Sequence, residues 1–221
     1  MSLEGLSEVV FLGRQAIFDR NDRLFAYELL FRTAGKNEAV IINDSHATAQ
    51  VIINTMTGVG VERVLGNVPG LINIGEEFLL SDLVFLLSAD HFVLEILETV
   101  PLTEKVLARC QELKLKGYRL ALDDYAGDWA TWEPLFPLMD FVKVDFQKVG
   151  EPDLAALANT LLERKIPLVA EKVESPEQQA LAMNLGFSYF QGYFFSRPIV
   201  LESRKRAPQE NIWSGGEVKP L

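Results

Sequence analysis

Short β-branched or apolar runs alternate with segments of helical period along this chain. The runs are "GLINIG", "HFVLEIL", "YRLALDD", "DFVKVDF", "IPLVAEKV" and "FSYFQGY", each followed by a polar residue and a helix-like stretch. "SHATAQVIINTMTG" runs from a Ser45 cap to Gly58, and "LTEKVLARCQELKLKG" ends at Gly117. "EPDLAALANTLLERK" keeps the same period, as does "SPEQQALAMNLG", with Ser175 at the cap and Pro176 in the first turn. Strands that alternate with helices predict a mainly parallel sheet. Two earlier runs, "VVFLGRQAIF" and "LFAYELLFR", are separated only by "DRNDR". That is too short for a parallel crossover, so the pair predicts an antiparallel hairpin. The expected fold is α/β: a (β/α)8-like TIM barrel with an antiparallel first strand. A doubly wound open sheet is the alternative.

Composition narrows the chemistry. The 221 residues are enough for one sizeable core. A formal net charge of -10 argues against a duplex nucleic acid partner. No apolar run has membrane-spanning length, and "MSLEGLSEVVFLG" has no signal-peptide pattern, so a cytoplasmic protein is expected. The single cysteine, Cys110, excludes an internal disulfide. The two histidines, His46 and His91, read as surface residues, leaving few candidates for histidine or cysteine catalysis. "GVGVERVLG" reads as helix caps, without the spacing of a phosphate loop. Residues 8–200 are expected to form the barrel domain. The polar stretch 201–221, "ESRKRAPQENIWSGGEVKPL" after its first residue, is expected to be a linker towards a further domain.

In a barrel the chemistry lies at the C-terminal ends of the strands. Those ends carry Glu28, Asn73, Glu95, Asp123, Asp124, Lys143, Glu171 and Gln191. Asp123 and Asp124 are adjacent like charges, which repel by roughly 1 kcal/mol at ~4 Å in water and about 4 at an effective dielectric of 20. Such a pair is splayed into solvent or held by a cation. Oxygen ligands suit Mg²⁺, Mn²⁺ or Ca²⁺, and several carboxylates leave room for two ions, as in metal hydrolases that attack phosphoryl groups. Lys143, between valines in "FVKVDF", points into the barrel mouth, with a structural ion pair to Asp145 as the alternative.

These motifs resemble an EAL domain, the cyclic di-GMP phosphodiesterase fold of bacterial signalling. The resemblance runs from "RQAIF" to "FSRP". "YELLFR" supplies Glu28 and Arg32, "LINIG" Asn73, and "LEILE" Glu95 and Glu98. The paired aspartates match Asp123 and Asp124, "VKVD" supplies Lys143 and Asp145, "AEKVE" Glu171 and Glu174, and "QGYFF" Gln191. The resemblance implies two Mg²⁺ or Mn²⁺ ions and hydrolysis of cyclic di-GMP to linear pGpG. It implies Glu28, Asn73, Glu95 and Asp123 around one ion, and Asp123, Asp124 and Glu171 around the other. Lys143 and Glu171 would position and deprotonate the attacking water, with Glu28 completing the catalytic set. Arg32, Gln191, Asp145 and Glu174 would serve the substrate, and Glu98 would anchor a loop. Active members usually follow the paired aspartates with Phe-Gly-Thr-Gly, linking the metal site to a dimer interface; here the loop is "YAGDWATW". Ala16 replaces a family proline, and Lys172 a family glycine. "RQAIFDRNDRLFAYELLFR" and "YFQGYFFSRP" are similar to the branch in which an EAL domain precedes an HDOD domain. That branch implies an alternative, a degenerate domain that binds cyclic di-GMP or a protein, and an HDOD-like domain following this one. A homodimer is the partner implied by the family interface. Trp129 and Trp132, in the altered loop, are expected to pack at an interface or stack on a guanine.

Overall fold

Eight strands close into a barrel because a hairpin joins its first and last parallel members. The structure, a computed structural model, describes residues 10–33 and 60–201. β1 (Val10–Asp19) and β2 (Leu24–Thr33) pair antiparallel, with a bulge at Ile17/Phe18. The parallel strands follow: β3 (Gly70–Ile74), β4 (Phe92–Ile96), β5 (Arg119–Leu122), β6 (Phe141–Asp145), β7 (Leu168–Glu171) and β8 (Tyr189–Phe190). The order β2-β3-β4-β5-β6-β7-β8-β1, with β1 also paired to β2, is closed. This is the expected TIM-like barrel; the open doubly wound sheet does not form. β9 (Ile199–Leu201) adds to the outer edge of β1 and carries regular structure to Leu201.

Helices cover the barrel where their apolar stripe dictates. α1 (Val61–Leu65) lies between Gly60 and Gly66, the caps expected from "GVGVERVLG". α2 (Glu76–Leu80) and a 3₁₀ turn (Asp82–Leu86) follow β3; the sequence pattern was too short to signal either. α3 (Glu104–Leu115) is capped by Thr103, whose side chain accepts from Val106 N, and buries Val106, Cys110 and Leu113 along one face. Gly117 after it has φ 86°, a left-handed turn that glycine permits. α4 (Trp129–Trp132), α5 (Glu151–Glu163) and α6 (Pro176–Asn184) complete the cover, α6 capped by Ser175. The helix expected at 45–58, with His46, lies outside the described residues, as does the tail beyond Leu201. His91 is exposed. No helix among the described residues is long and apolar enough to cross a membrane.

The barrel interior is layered. Ile17, Ala26, Leu71, Val93, Ala121, Phe141 and Val169 form one apolar cluster, with Phe25 and Tyr189 against it. The larger cluster lies outside the strands, beneath the helices. Side chains two apart on a strand share a face. The residues two positions beyond this inner layer are therefore the next layer up: Glu28, Asn73, Glu95, Asp123, Lys143, Glu171 and Gln191. β1 runs the opposite way, so its member is two positions before Ile17, namely Gln15.

Candidate metal and phosphodiester site

This upper layer is polar and largely sealed. Lys143 and Glu95 have no exposed surface, and Glu28, Glu171 and Gln191 are also buried. The Lys143 ammonium sits among four carboxylates: 2.8 Å from Glu171 Oε1, 3.0 Å from Asp123 Oδ1, 3.7 Å from Glu28 Oε2, and in contact with Glu95. The Lys143–Asp145 pair does not form; Asp145 pairs instead with Lys172 and accepts from Gln147 N. Glu28 is held from two sides. Asn73 Nδ2 donates to its Oε1 at 2.9 Å, and Gln191 Nε2 to its Oε2 at 2.5 Å. Gln191 also donates to Gln15 Oε1 at 3.3 Å.

The adjacent aspartates part company at the end of β5. Asp123 N donates to Ile96 O and Tyr125 N to Lys143 O, each at 2.9 Å, which pins the turn between β4 and β6. Asp124 adopts a left-handed φ of 47°. Asp123 thus meets Lys143 inside the barrel, whereas Asp124 turns to Lys148 (2.7 Å) and Lys172 (3.6 Å) on the rim. Each carboxylate has its own cations, which answers the repulsion between neighbours.

Burial sets the protonation. It pushes Glu171 up to about 8, against the opposing pull of the Lys143 ammonium. Burial also carries Glu95 well above its ordinary value, with Lys143 again opposing and Asp123, Glu28 and Glu171 adding. Burial pulls Lys143 down, but Asp123, Glu171, Glu28 and Glu95 outweigh it and hold the ammonium well above its usual range. At Asp124 burial acts upward and is overcome by the hydrogen bond from Lys148 and the charges of Lys172, Lys148 and Lys143, so its carboxyl is lowered.

Four acids outnumber the one lysine among them, and oxygens are left over. Asn73 Oδ1, Glu95 Oε2, Glu171 Oε2 and Gln191 Oε1 are buried without a hydrogen-bond partner. Unpaired buried acceptors are costly, and a hard cation satisfies several at once. The donor set therefore fits a divalent ion. Above it lies a cavity of about 460 Å³, whose wall includes Gln15, Asp124, Gln147, Lys172, Glu174 and Tyr193.

Of the remaining candidates, Glu98 lies 3.6 Å from Lys148, and Glu98, Asp123 and Asp124 come close enough to share a cation. Glu174 accepts from Gln147 Nε2 at 3.0 Å on the cavity wall. Arg32 pairs in register with Phe11, and its side chain lies outside the described residues. The altered loop folds inward: Trp132 is buried, and Trp129 packs on Phe136 beneath the Arg164 guanidinium. Both tryptophans therefore pack within the domain. Gln15, Gln147, Lys148 and Lys172 line or border the site without having been singled out for it. Gln15 was discoverable from the reversed direction of β1; the two lysines carried no such signal.

The loop after β8 is held by contact of backbone on backbone. A methyl at Gly192 would collide with N, C and O of Val173. Val173 N donates to Gln191 O at 3.0 Å, and Phe194 N to Val173 O at 3.1 Å. Gly192→Ala is expected to lower stability by at least the ~1–3 kcal/mol of an overpacked site and to draw Gln191 off Glu28. Thermal melting checks this, and melting identical to the parent would refute it.

Comparison with known proteins shows the family and the fold. A family model described as "EAL domain" matches residues 73–198. The chain is 35% identical over 196 residues to the Bacillus subtilis protein YuxH, covering 87% of this chain and 48% of that protein. It is 32% identical over 205 residues to the cyclic di-GMP phosphodiesterase CdgJ of Vibrio cholerae, covering 91% and 47%. The chain thus spans about half the length of these curated relatives. Among solved structures, Klebsiella pneumoniae BlrP1 in complex with manganese and cyclic di-GMP superposes with a TM-score of 0.69 at 22% identity, over 90% of this chain and 58% of that one. Bacillus subtilis YkuI with cyclic di-GMP and calcium gives 0.67 at 24% identity, over 86% and 54%. A barrel closed by an antiparallel hairpin, the acids at its strand ends and the match over residues 73–198 lead to one assignment: the chain belongs to the EAL domain family.

Proposed function

We propose that this chain hydrolyses cyclic di-GMP to linear pGpG with the help of Mg²⁺ or Mn²⁺. The observation that carries the reading is the buried layer of carboxylates around Lys143, with oxygens of Asn73, Glu95, Glu171 and Gln191 unpartnered beneath an open cavity. A relative that is a cyclic di-GMP phosphodiesterase, and solved neighbours holding cyclic di-GMP with divalent ions, support it.

Glu28, Asn73, Glu95 and Asp123 would hold a divalent ion, Glu28 kept in place by Asn73 and Gln191. Such an ion supplies Lewis acidity toward a phosphoryl oxygen and makes water easier to deprotonate. Glu171, at the cavity wall and 2.8 Å from Lys143, takes the proton from the attacking water. Lys143 steadies that carboxylate and carries positive charge where negative charge builds on phosphorus. Asp145 and Gln147 fix the wall between β6 and β7, where Glu174 accepts from Gln147, and Glu174 and Arg32 would help hold the ligand. The likeness of "RQAIFDRNDRLFAYELLFR" and "YFQGYFFSRP" to the branch in which an EAL domain precedes an HDOD domain supports a cytoplasmic barrel (8–200) that leads through 201–221 to an HDOD-like domain.

Incubation of the chain with cyclic di-GMP and Mn²⁺, followed by chromatography, is expected to yield the linear dinucleotide, and a chelator to stop it. Binding without product would replace the hydrolase with a cyclic di-GMP-binding module.

A further inference from the structure

The two sides of the rim differ in how their charge is balanced. On the inner side, Glu28, Glu95, Asp123 and Glu171 surround one ammonium, and buried oxygens remain unpartnered. On the outer side, Glu98, Asp124 and Asp145 face two ammoniums, those of Lys148 and Lys172. Each Asp124 oxygen has its own lysine, Oδ2 with Lys148 at 2.7 Å and Oδ1 with Lys172 at 3.6 Å. Lys148 also bridges to Glu98, so an ammonium already joins two members of the converging Glu98–Asp123–Asp124 group. Asp145 is likewise complete, with Lys172 on one oxygen and Gln147 N on the other. None of the unpartnered buried oxygens among the described residues belongs to Glu98, Asp124 or Asp145.

The backbone adds a second observation. Lys172 has φ 55°, a left-handed conformation that favours glycine. A long charged side chain stands at this strained position, directly after Glu171. Its ammonium crosses from the end of β7 to Asp124 at the end of β5. Lys172 also lines the cavity, and its side chain keeps 45% of its surface exposed. It therefore neutralises an acid on one side and opens on the cavity on the other.

We propose that Lys148 and Lys172 serve as built-in cations on the Asp124 side, so that the centre takes one divalent ion, and that the Lys172 ammonium meets the ligand phosphate where a second ion would otherwise act. The inference rests on the metal-assisted phosphodiester reading of the cavity and deepens it. A second ion on Asp124 would have to displace two ammoniums or sit against their charge. The inner side has a deficit of positive charge and the outer side has little.

The test is a Mn²⁺ titration of the metal-free chain by calorimetry, with electron paramagnetic resonance of the bound ion. The parent is expected to bind one Mn²⁺ per chain with the spectrum of an isolated ion. Lys148→Met/Lys172→Gly is expected to bind two, with the broadening that a neighbouring ion produces. Lys172→Gly alone is expected to weaken cyclic di-GMP binding at least tenfold at saturating Mn²⁺. Removing a side chain from a left-handed position favours folding; if the double variant is nonetheless unfolded, Lys148→Gln/Lys172→Gln takes its place in the same titration. Two ions in the parent would overturn the inference and leave the hydrolase reading intact. One ion in both proteins would overturn the assignment to these lysines. No bound ion in either would overturn the metal reading itself, and the inference with it.

Discussion

Glu171→Gln is expected to lower hydrolysis of cyclic di-GMP by about a hundredfold or more, while the ligand still binds within about tenfold of the parent. General-base assistance is typically worth ~10²–10⁴-fold. Glutamine keeps the shape of the side chain at the end of β7 but is not an effective base. Burial lifts the Glu171 carboxyl to about 8; a cation close to a carboxyl favours its charged form, and a base works best with a pKa near the operating pH. Turnover and ligand binding measured on the same folded protein separate the two effects; turnover near the parental rate would remove Glu171 from this role.

The same carboxyl predicts a pH effect on the metal-free protein. Its value in the fold is about 8, against an ordinary 4.5, so the folded chain holds this proton more tightly than the unfolded chain does. The contribution to stability is full below about pH 4.5, declines as pH rises, and is gone above about 8. Glu95, shifted the same way, adds to the decline. Urea midpoints in chelator are expected to fall between pH 5.5 and pH 8, and Glu171→Gln to flatten part of that slope. An equal slope in parent and variant would contradict the assignment.

Lys143→Met carries the other large expectation. The ammonium is fully buried and is the shared counter-charge of Glu28, Glu95, Asp123 and Glu171. Removing one partner from a buried charge cluster costs about 3–5 kcal/mol. The metal-free variant is expected to lose that much unfolding free energy, more at pH 8 than at pH 5.5, because protons can replace part of the missing charge. Millimolar Mn²⁺ is expected to restore much of the loss, since the same oxygens then have a cation. Denaturant midpoints equal to those of the parent would show that the acids do not depend on Lys143.

Much of the barrel was legible in the sequence because its signals are local. The "DRNDR" spacer is too short for anything but a hairpin, and that hairpin closes the sheet. Strand-end residues such as Glu28, Asn73, Glu95 and Glu171 could be read because a strand has period two. Each stands two positions beyond an apolar residue, Ala26, Leu71, Val93 or Val169, that fills the inner layer. The helices α3 and α5 announced themselves through a stripe of apolar residues that the fold buries, and α6 through its Ser175 cap and Pro176. Short helices such as α2 and α4 did not, since five residues or fewer hold little more than one turn of a 3.6-residue period, and the three residues of β9 are too few to show alternation.

Partnerships were decided only by the tertiary structure. "VKVD" presents Lys143 and Asp145 two residues apart, yet Lys143 serves four acids from β2, β4, β5 and β7, and Asp145 serves Lys172. Asp123 and Asp124 are indistinguishable as letters; a left-handed turn at Asp124 sends them to different cations. Trp129 and Trp132 read as residues for an interface or a guanine, yet Trp132 is buried and Trp129 packs between Phe136 and the Arg164 guanidinium. The chain itself determined which residues stand at the strand ends, because alternation along a strand is a property of neighbouring residues. Which charge meets which was left to the closed barrel, because Coulomb attraction acts through space and the sequence records only distance along the chain.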